Sequence, residues 1–129
     1  KQTIVPNRNM IMISVAASLV IKNNIEYLWY AAHSGDHEIY PDCRPEFIDK
    51  MAEVLEICDY HKIKFEAPFQ NLSKSEIVAT GLSMNLDYSK TWTCYEGKEK
   101  PCSKCSACLE RALSFEANNT EDPLNVVSN

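Results

Sequence analysis

A surplus of positive charge is missing from this chain. The sequence sets 13 Lys and Arg against 18 Asp and Glu, a formal net charge of −5, whereas a protein that reads nucleic acid ordinarily carries a basic face. Also missing is an apolar run fit for a bilayer. The longest, Met10 to Ile21, is broken by Ser14 and Ser18 and falls short of the ~20 apolar residues of a spanning helix. No secretory signal is visible, because Lys1-Gln2-Thr3 and a Pro-Asn-Arg-Asn turn precede that run. Internal repeats and low-complexity tracts are absent. The first residue is not methionine, from which a piece of a longer protein is expected. What is present is ordinary for a soluble globular domain: 129 residues, 45% hydrophobic and 24% charged, enough for one core and at most a small metal-bound lobe.

Six cysteines are present. Four fall in the stretch C-Y-E-G-K-E-K-P-C-S-K-C-S-A-C, from Cys94 through Cys102 and Cys105 to Cys108. Two overlapping Cys-x-x-Cys turns and a fourth thiol one loop upstream match what a tetrahedral ion needs, so a structural Zn2+ with four cysteine ligands is the first reading. An iron-sulfur cluster stays open, since it too uses Cys-x-x-Cys-x-x-Cys runs, although its fourth ligand ordinarily lies downstream or well apart. Disulfides fit poorly with the spacing and with a reducing cytoplasm, which leaves Cys43 and Cys58 as spare thiols. Four thiolates on Zn2+ carry a formal charge of about −2. Lys98, Lys100, Lys104 and Arg111 are expected to relieve it. Gly97, by accepting positive φ, and Pro101 are expected to permit the chain reversal. A helical pattern follows through Leu109, Ala112, Leu113 and Phe115.

Upstream, Met10 to Lys22 is apolar or small at almost every position, which predicts a helix buried on several sides. Asn7 or Asn9 is placed to cap it. Arg8 then stands where free amides and a guanidinium form an anion site, or it simply pairs with a neighbouring acid. Ile25 to Ala32 reads as a strand inside a sheet. Helix then buried strand predicts parallel α/β architecture, with ligands beyond the carboxyl ends of strands. That places His33, His37, Asp42, Cys43 and Arg44 at the mouth of a site. The preferred pair is Asp42, an acceptor for amide or amidine donors, and Arg44, a fork for an anionic group.

Pro45 opens the next helix, with Phe47, Ile48, Met51, Val54, Leu55 and Cys58 on its buried face. Lys62 to Phe69 predicts a short edge strand. Ser73-Lys74-Ser75-Glu76 is a capping box, expected to start a helix that stops around Gly81. Lys74 lies in its first turn, against the dipole, which suits either an anionic ligand or plain solvent. Asn118 to Asn129 is Asn-rich without an apolar period, and a mobile tail is expected.

Four stretches taken together resemble the carboxy-terminal half of the 7-cyano-7-deazaguanine (PreQ0) synthase family of queuosine biosynthesis. They are Val5 to Asn9, Tyr40 to Phe47, Ser73 to Val78, and Thr91 to Cys108, in the family's order. The resemblance implies a parallel-sheet PP-loop fold of the adenine nucleotide alpha hydrolase-like, Rossmann-like kind. The expected division is 1–90 for that α/β part, 91–118 for a zinc-binding knuckle and terminal helix, and 119–129 for the tail. It further implies a cytoplasmic, ATP-dependent ligase that activates the carboxylate of 7-carboxy-7-deazaguanine, lets ammonia attack, and dehydrates the amide to a nitrile, with Mg2+ accompanying ATP.

On that footing Cys94, Cys102, Cys105 and Cys108 hold the zinc, Arg8 and Lys74 steady phosphates during catalysis, and Asp42 and Arg44 bind substrate. A homodimer, or association with a chain carrying the ATP loop, is expected; a membrane or nucleic-acid partner is not. The family's Ser-Gly-Gly-x-Asp-Ser loop occurs nowhere in these residues, so this chain alone is expected to catalyse little. The alternative is a non-catalytic zinc-binding adaptor derived from the same family.

Overall fold

The computed structural model describes residues 5–97 and 99–127; Lys98, named above as a counter-charge, lies outside them. Two compact units divide between Asn71 and Leu72, not near residue 90. In the first, α1 (Arg8–Lys22) leads to β1 (Tyr27–Trp29), α2 (Pro45–Ile57) and β2 (Lys64–Glu66). The strands pair in parallel, Leu28 opposite Phe65. A parallel pair needs a crossover, and α2 supplies it.

Why each element stops where it does is local. Asn7, at the N-cap of α1, takes a left-handed φ of 59° and makes no side-chain cap, so neither asparagine caps that helix as expected; Asn9 lies inside it and bonds elsewhere. Asn23 and Asn24, the latter at φ 52°, end α1. Pro45 sits in the first turn of α2, where its missing N–H is no loss.

One core holds this unit together: Ile13, Ala17 and Val20 of α1, Ile48, Met51 and Leu55 of α2, with Ile63, Phe65 and Ala67 at β2. Val54 and Cys58, expected on the buried face of α2, are exposed. So is the other side of α1, where Ile11, Met12, Val15 and Leu19 are each more than half exposed. The expectation of burial on several sides is not met among the described residues. Nor is β1 interior among the described residues, where it pairs with β2 alone. Glu26 and Tyr30 bond across to β2, so the backbone of the alternate residues Tyr27 and Trp29 faces the opposite edge.

The second unit comprises α3 (Lys74–Ser83), a 3-10 turn at Tyr88–Lys90, and α4 (Ser106–Glu116). α3 packs on α4, which is why the capping-box helix belongs to the cysteine lobe. Its box is complete: Ser73 Oγ accepts from Glu76 N–H, and the Glu76 carboxylate accepts from Ser73 N–H at 2.7 Å. The helix continues past Gly81 to Ser83. The apolar period places Leu113 inside, yet it is exposed while Arg111 and Ser114 are buried.

Arg111 explains both that exchange and the tail. Its Nε and Nη2 donate to the two oxygens of Asp122 at 2.6 and 2.7 Å. Nη1 donates to Thr91 Oγ1 at 2.8 Å and Nη2 to the Tyr88 carbonyl at 3.2 Å. The guanidinium is therefore occupied by an ion pair, not by the cysteines. Residues 120–127, expected to be mobile, are anchored by that carboxylate and by Val126 and Leu124 against Cys94, Cys108 and Ala112. No helix among the described residues is long and apolar enough to cross a membrane.

Candidate metal centre and ligand pocket

The second unit brings the four cysteines of the knuckle together. Their sulfurs all lie within 4.8 Å of one another, and none is in a disulfide. Cys102 Sγ and Cys108 Sγ are 3.9 Å apart; the edge of a tetrahedron with metal-sulfur bonds of ~2.3 Å is about 3.8 Å. The donor set therefore fits a tetrahedral ion, held by Cys94, Cys102, Cys105 and Cys108.

Backbone amides aim at the sulfurs. Gly97 N–H and Cys102 N–H donate to Cys94 Sγ at 2.9 and 3.2 Å, and Cys105 N–H to Cys102 Sγ at 3.3 Å. Cys105 is the N-cap of α4 and Cys108 lies in its first turn, where the helix dipole favours negative charge. The Cys102 amide, before the opposing effect of burial and the further amides of Glu96 and Gly97, holds the Cys94 thiol down at about 6. The Tyr95 amide leads in lowering Cys105, while burial pushes Cys108 up to about 12. A bound cation would deprotonate all four. Charge relief thus comes first from amides. Gly97 does not have positive φ as expected; it is glycine because a Cβ there would strike the Lys100 carbonyl and crowd Cys94 Sγ. Positive φ falls instead on Ser103, at 54°.

The first unit carries a cavity of about 390 Å3 between the start of α1 and the turn before α2, lined by Arg8, Asn9, Ile39, Tyr40, Asp42 and Phe47 among others. Its walls are largely apolar, with one cation and one carboxylate facing in. Asn9 Nδ2 donates to Asp42 Oδ2 at 2.9 Å, and Arg8 Nε donates to Asn9 Oδ1 at 3.3 Å. Behind them Tyr30 Oη donates to the Asp42 carbonyl at 3.1 Å and contacts Cys43 Sγ at 3.6 Å. Burial raises the thiol of Cys43 and the hydroxyl of Tyr30, so both stay neutral near pH 7 and Cys43 is a poor nucleophile.

Arg8 and Asp42, far apart in sequence, thus share one cavity. Arg44 does not line it and donates from Nε to the His37 carbonyl at 2.7 Å. Lys74, in the second unit, pairs with Glu110 at 3.3 Å. His33 is buried as the cap of the 3-10 turn Ser34–Asp36, accepting from Gly35 N–H at Nδ1, with Nε2 3.2 Å from Asp36. Two buried polar atoms without a partner among the described residues, His37 Nε2 and Gln70 Oε1, lie in the loops that follow β1 and β2, where parallel sheets take ligands. Asn9 went unread as a site residue because its spacing suggested only a cap.

Parallel strands joined by a helix in one unit, and four thiols gathered within 4.8 Å in the other, define an α/β protein with a cysteine cluster that could hold a metal ion. Comparison narrows this. The family model described as "Queuosine biosynthesis protein QueC" matches residues 1–119, and the chain belongs to that family. Over 124 residues it is 52% identical to the 7-cyano-7-deazaguanine synthase of Psychromonas ingrahamii, covering 96% of this chain and 56% of that protein. It is 51% identical to 7-cyano-7-deazaguanine synthase 1 of Colwellia psychrerythraea and 52% to the synthase of Pseudoalteromonas atlantica, covering 96% of this chain and 57% of each. The chain therefore spans little more than half the length of these relatives.

Proposed function

We propose that this chain is the portion of a 7-cyano-7-deazaguanine synthase that carries the metal centre and the heterocycle pocket. The complete enzyme would use ATP to turn 7-carboxy-7-deazaguanine and ammonia into the nitrile. The observation that carries the reading is the meeting of Arg8 and Asp42 in one apolar-walled cavity within a chain whose family is established by residues 1–119. A carboxylate must lose its charge to a phosphoryl or adenylyl group before ammonia can attack, and the amide oxygen must leave by a second activation. Each step places negative charge on a leaving group, which cations stabilise.

In this reading Asp42 accepts from the guanine-like N1–H and amino group, and Arg8 steadies anionic charge. Arg44 and Lys74 keep their proposed roles at the substrate carboxylate and at phosphate; each would have to exchange its present partner, the His37 carbonyl or Glu110. The metal is proposed to be structural Zn2+, since four protein ligands leave no open position. An ATP-loop chain is the proposed partner, with Mg2+ accompanying ATP. The edge of β1 that is unpaired among the described residues and the exposed apolar side of α1 support association with it or with a second copy.

The test is complementation. Mixing the chain with one that bears the Ser-Gly-Gly-x-Asp-Ser loop should give ATP-dependent nitrile formation, lost on Arg8→Ala. Failure to bind 7-carboxy-7-deazaguanine even with that partner present would leave the non-catalytic adaptor instead.

A further inference from the structure

We infer that Asn9 is a positioning residue that sets the selectivity of the pocket: its carboxamide holds Asp42 so that the carboxylate presents one oxygen to a ligand edge bearing N–H donors. This rests on the pocket reading above and adds to it a residue and a selectivity.

An ionised carboxylate offers about four acceptor directions over two oxygens. Left to rotate, it would meet a flat heterocycle in many orientations. Here Oδ2 is taken by Asn9 Nδ2 at 2.9 Å, while Oδ1 receives a long, weak contact from the Cys43 thiol at 4.0 Å. The carboxamide is itself oriented by charge, its oxygen receiving Arg8 Nε at 3.3 Å and its nitrogen facing the carboxylate. The Tyr30 hydroxyl pins the backbone of the same residue through the Asp42 carbonyl. Backbone, one oxygen and the supporting amide are all fixed, and Oδ1 remains for the ligand in a cavity walled by Tyr40 and Phe47.

Such a site accepts a planar heterocycle whose edge pairs a ring N–H with an amino group. It binds the analogue lacking the amino group more weakly, since Oδ1 then accepts only the ring N–H and loses the second of its two hydrogen bonds to the ligand.

Calorimetric titration of the chain with 7-carboxy-7-deazaguanine, and with the same compound lacking its 2-amino group, measures this as a ratio of affinities. Wild type should favour the amino compound by about tenfold or more. Asn9→Ala, and the same-shaped Asn9→Asp should the alanine variant not fold, should bring the ratio close to one. Asp42→Asn should do the same, and the double variant Asn9→Ala/Asp42→Asn should lose no more than either. A ratio unchanged in both Asn9 variants, or a weakening equal for the two compounds, overturns the inference while leaving the pocket standing. Wild type that binds neither compound overturns the pocket reading and this inference with it.

Discussion

Replacing Asp122 by Ala would leave the guanidinium of Arg111, whose side chain is 5% exposed, without the carboxylate that takes two of its donors. Removing one partner of a buried pair costs about 3–5 kcal/mol, so Asp122→Ala should lower the unfolding free energy of the second unit by that order. A chevron or denaturant titration followed at the cysteine lobe measures it. Arg111→Met/Asp122→Leu should be far milder, because no charge is stranded. Ser73 is a smaller case. Ser73→Ala should cost about 1 kcal/mol, read in the same titration. Its partner Glu76 has a pKa below the usual range because the Ser73 amide, and then its hydroxyl, bond the ionised form. A depressed folded pKa means the contribution is present above the unfolded value and is lost as pH falls through the folded one. Acid titration should therefore weaken wild type, and Glu76→Gln should remove that part of the slope.

At the scale of elements, the knuckle from Cys94 to the first turn of α4 gathers four thiols into a cluster that a cation would hold. Four sulfurs within 4.8 Å repel once ionised, and amides relieve that only in part. A strong chelator should release about one equivalent of zinc and abolish the cooperative unfolding transition of the second unit, with metal analysis and circular dichroism as the readouts. Visible charge-transfer absorption with bound iron would instead establish a cluster. Gly97→Ala should mimic chelation, since its Cβ meets the Lys100 carbonyl, and metal content after purification should fall. Spacing alone made this centre legible, because ligand geometry is local in sequence. The role of Arg111 was not, because its partner is a carboxylate in a stretch with no periodic signal.

For the molecule as a whole, one apolar side of α1 and one edge of β1 are left uncovered among the described residues. Val15, 59% exposed, distinguishes folding from association. Val15→Glu should change the thermal midpoint of the isolated chain little, as surface substitutions ordinarily shift stability by about 0.5 kcal/mol or less. The same change should sharply reduce complementation by the ATP-loop chain, measured as nitrile formed against added partner. Full complementation by Val15→Glu would place the contact elsewhere.

Local rules sufficed for much of this protein. Pro45 and the Ser73 capping box mark helix starts, the asparagine pair after α1 marks a stop, and the cysteine spacing marks the centre, because each depends on residues a turn or a loop apart. Tertiary structure alone decided the rest: that Arg8 and Asp42 share a cavity, that Asn9 holds one to the other, that Arg44 turns to the His37 carbonyl and Lys74 to Glu110, and that Asp122 anchors the last segment. Those are meetings of side chains distant along the chain. Their partners are selected by packing and by the cost of leaving a charge or a hydrogen-bonding group alone, neither of which leaves a period in the sequence.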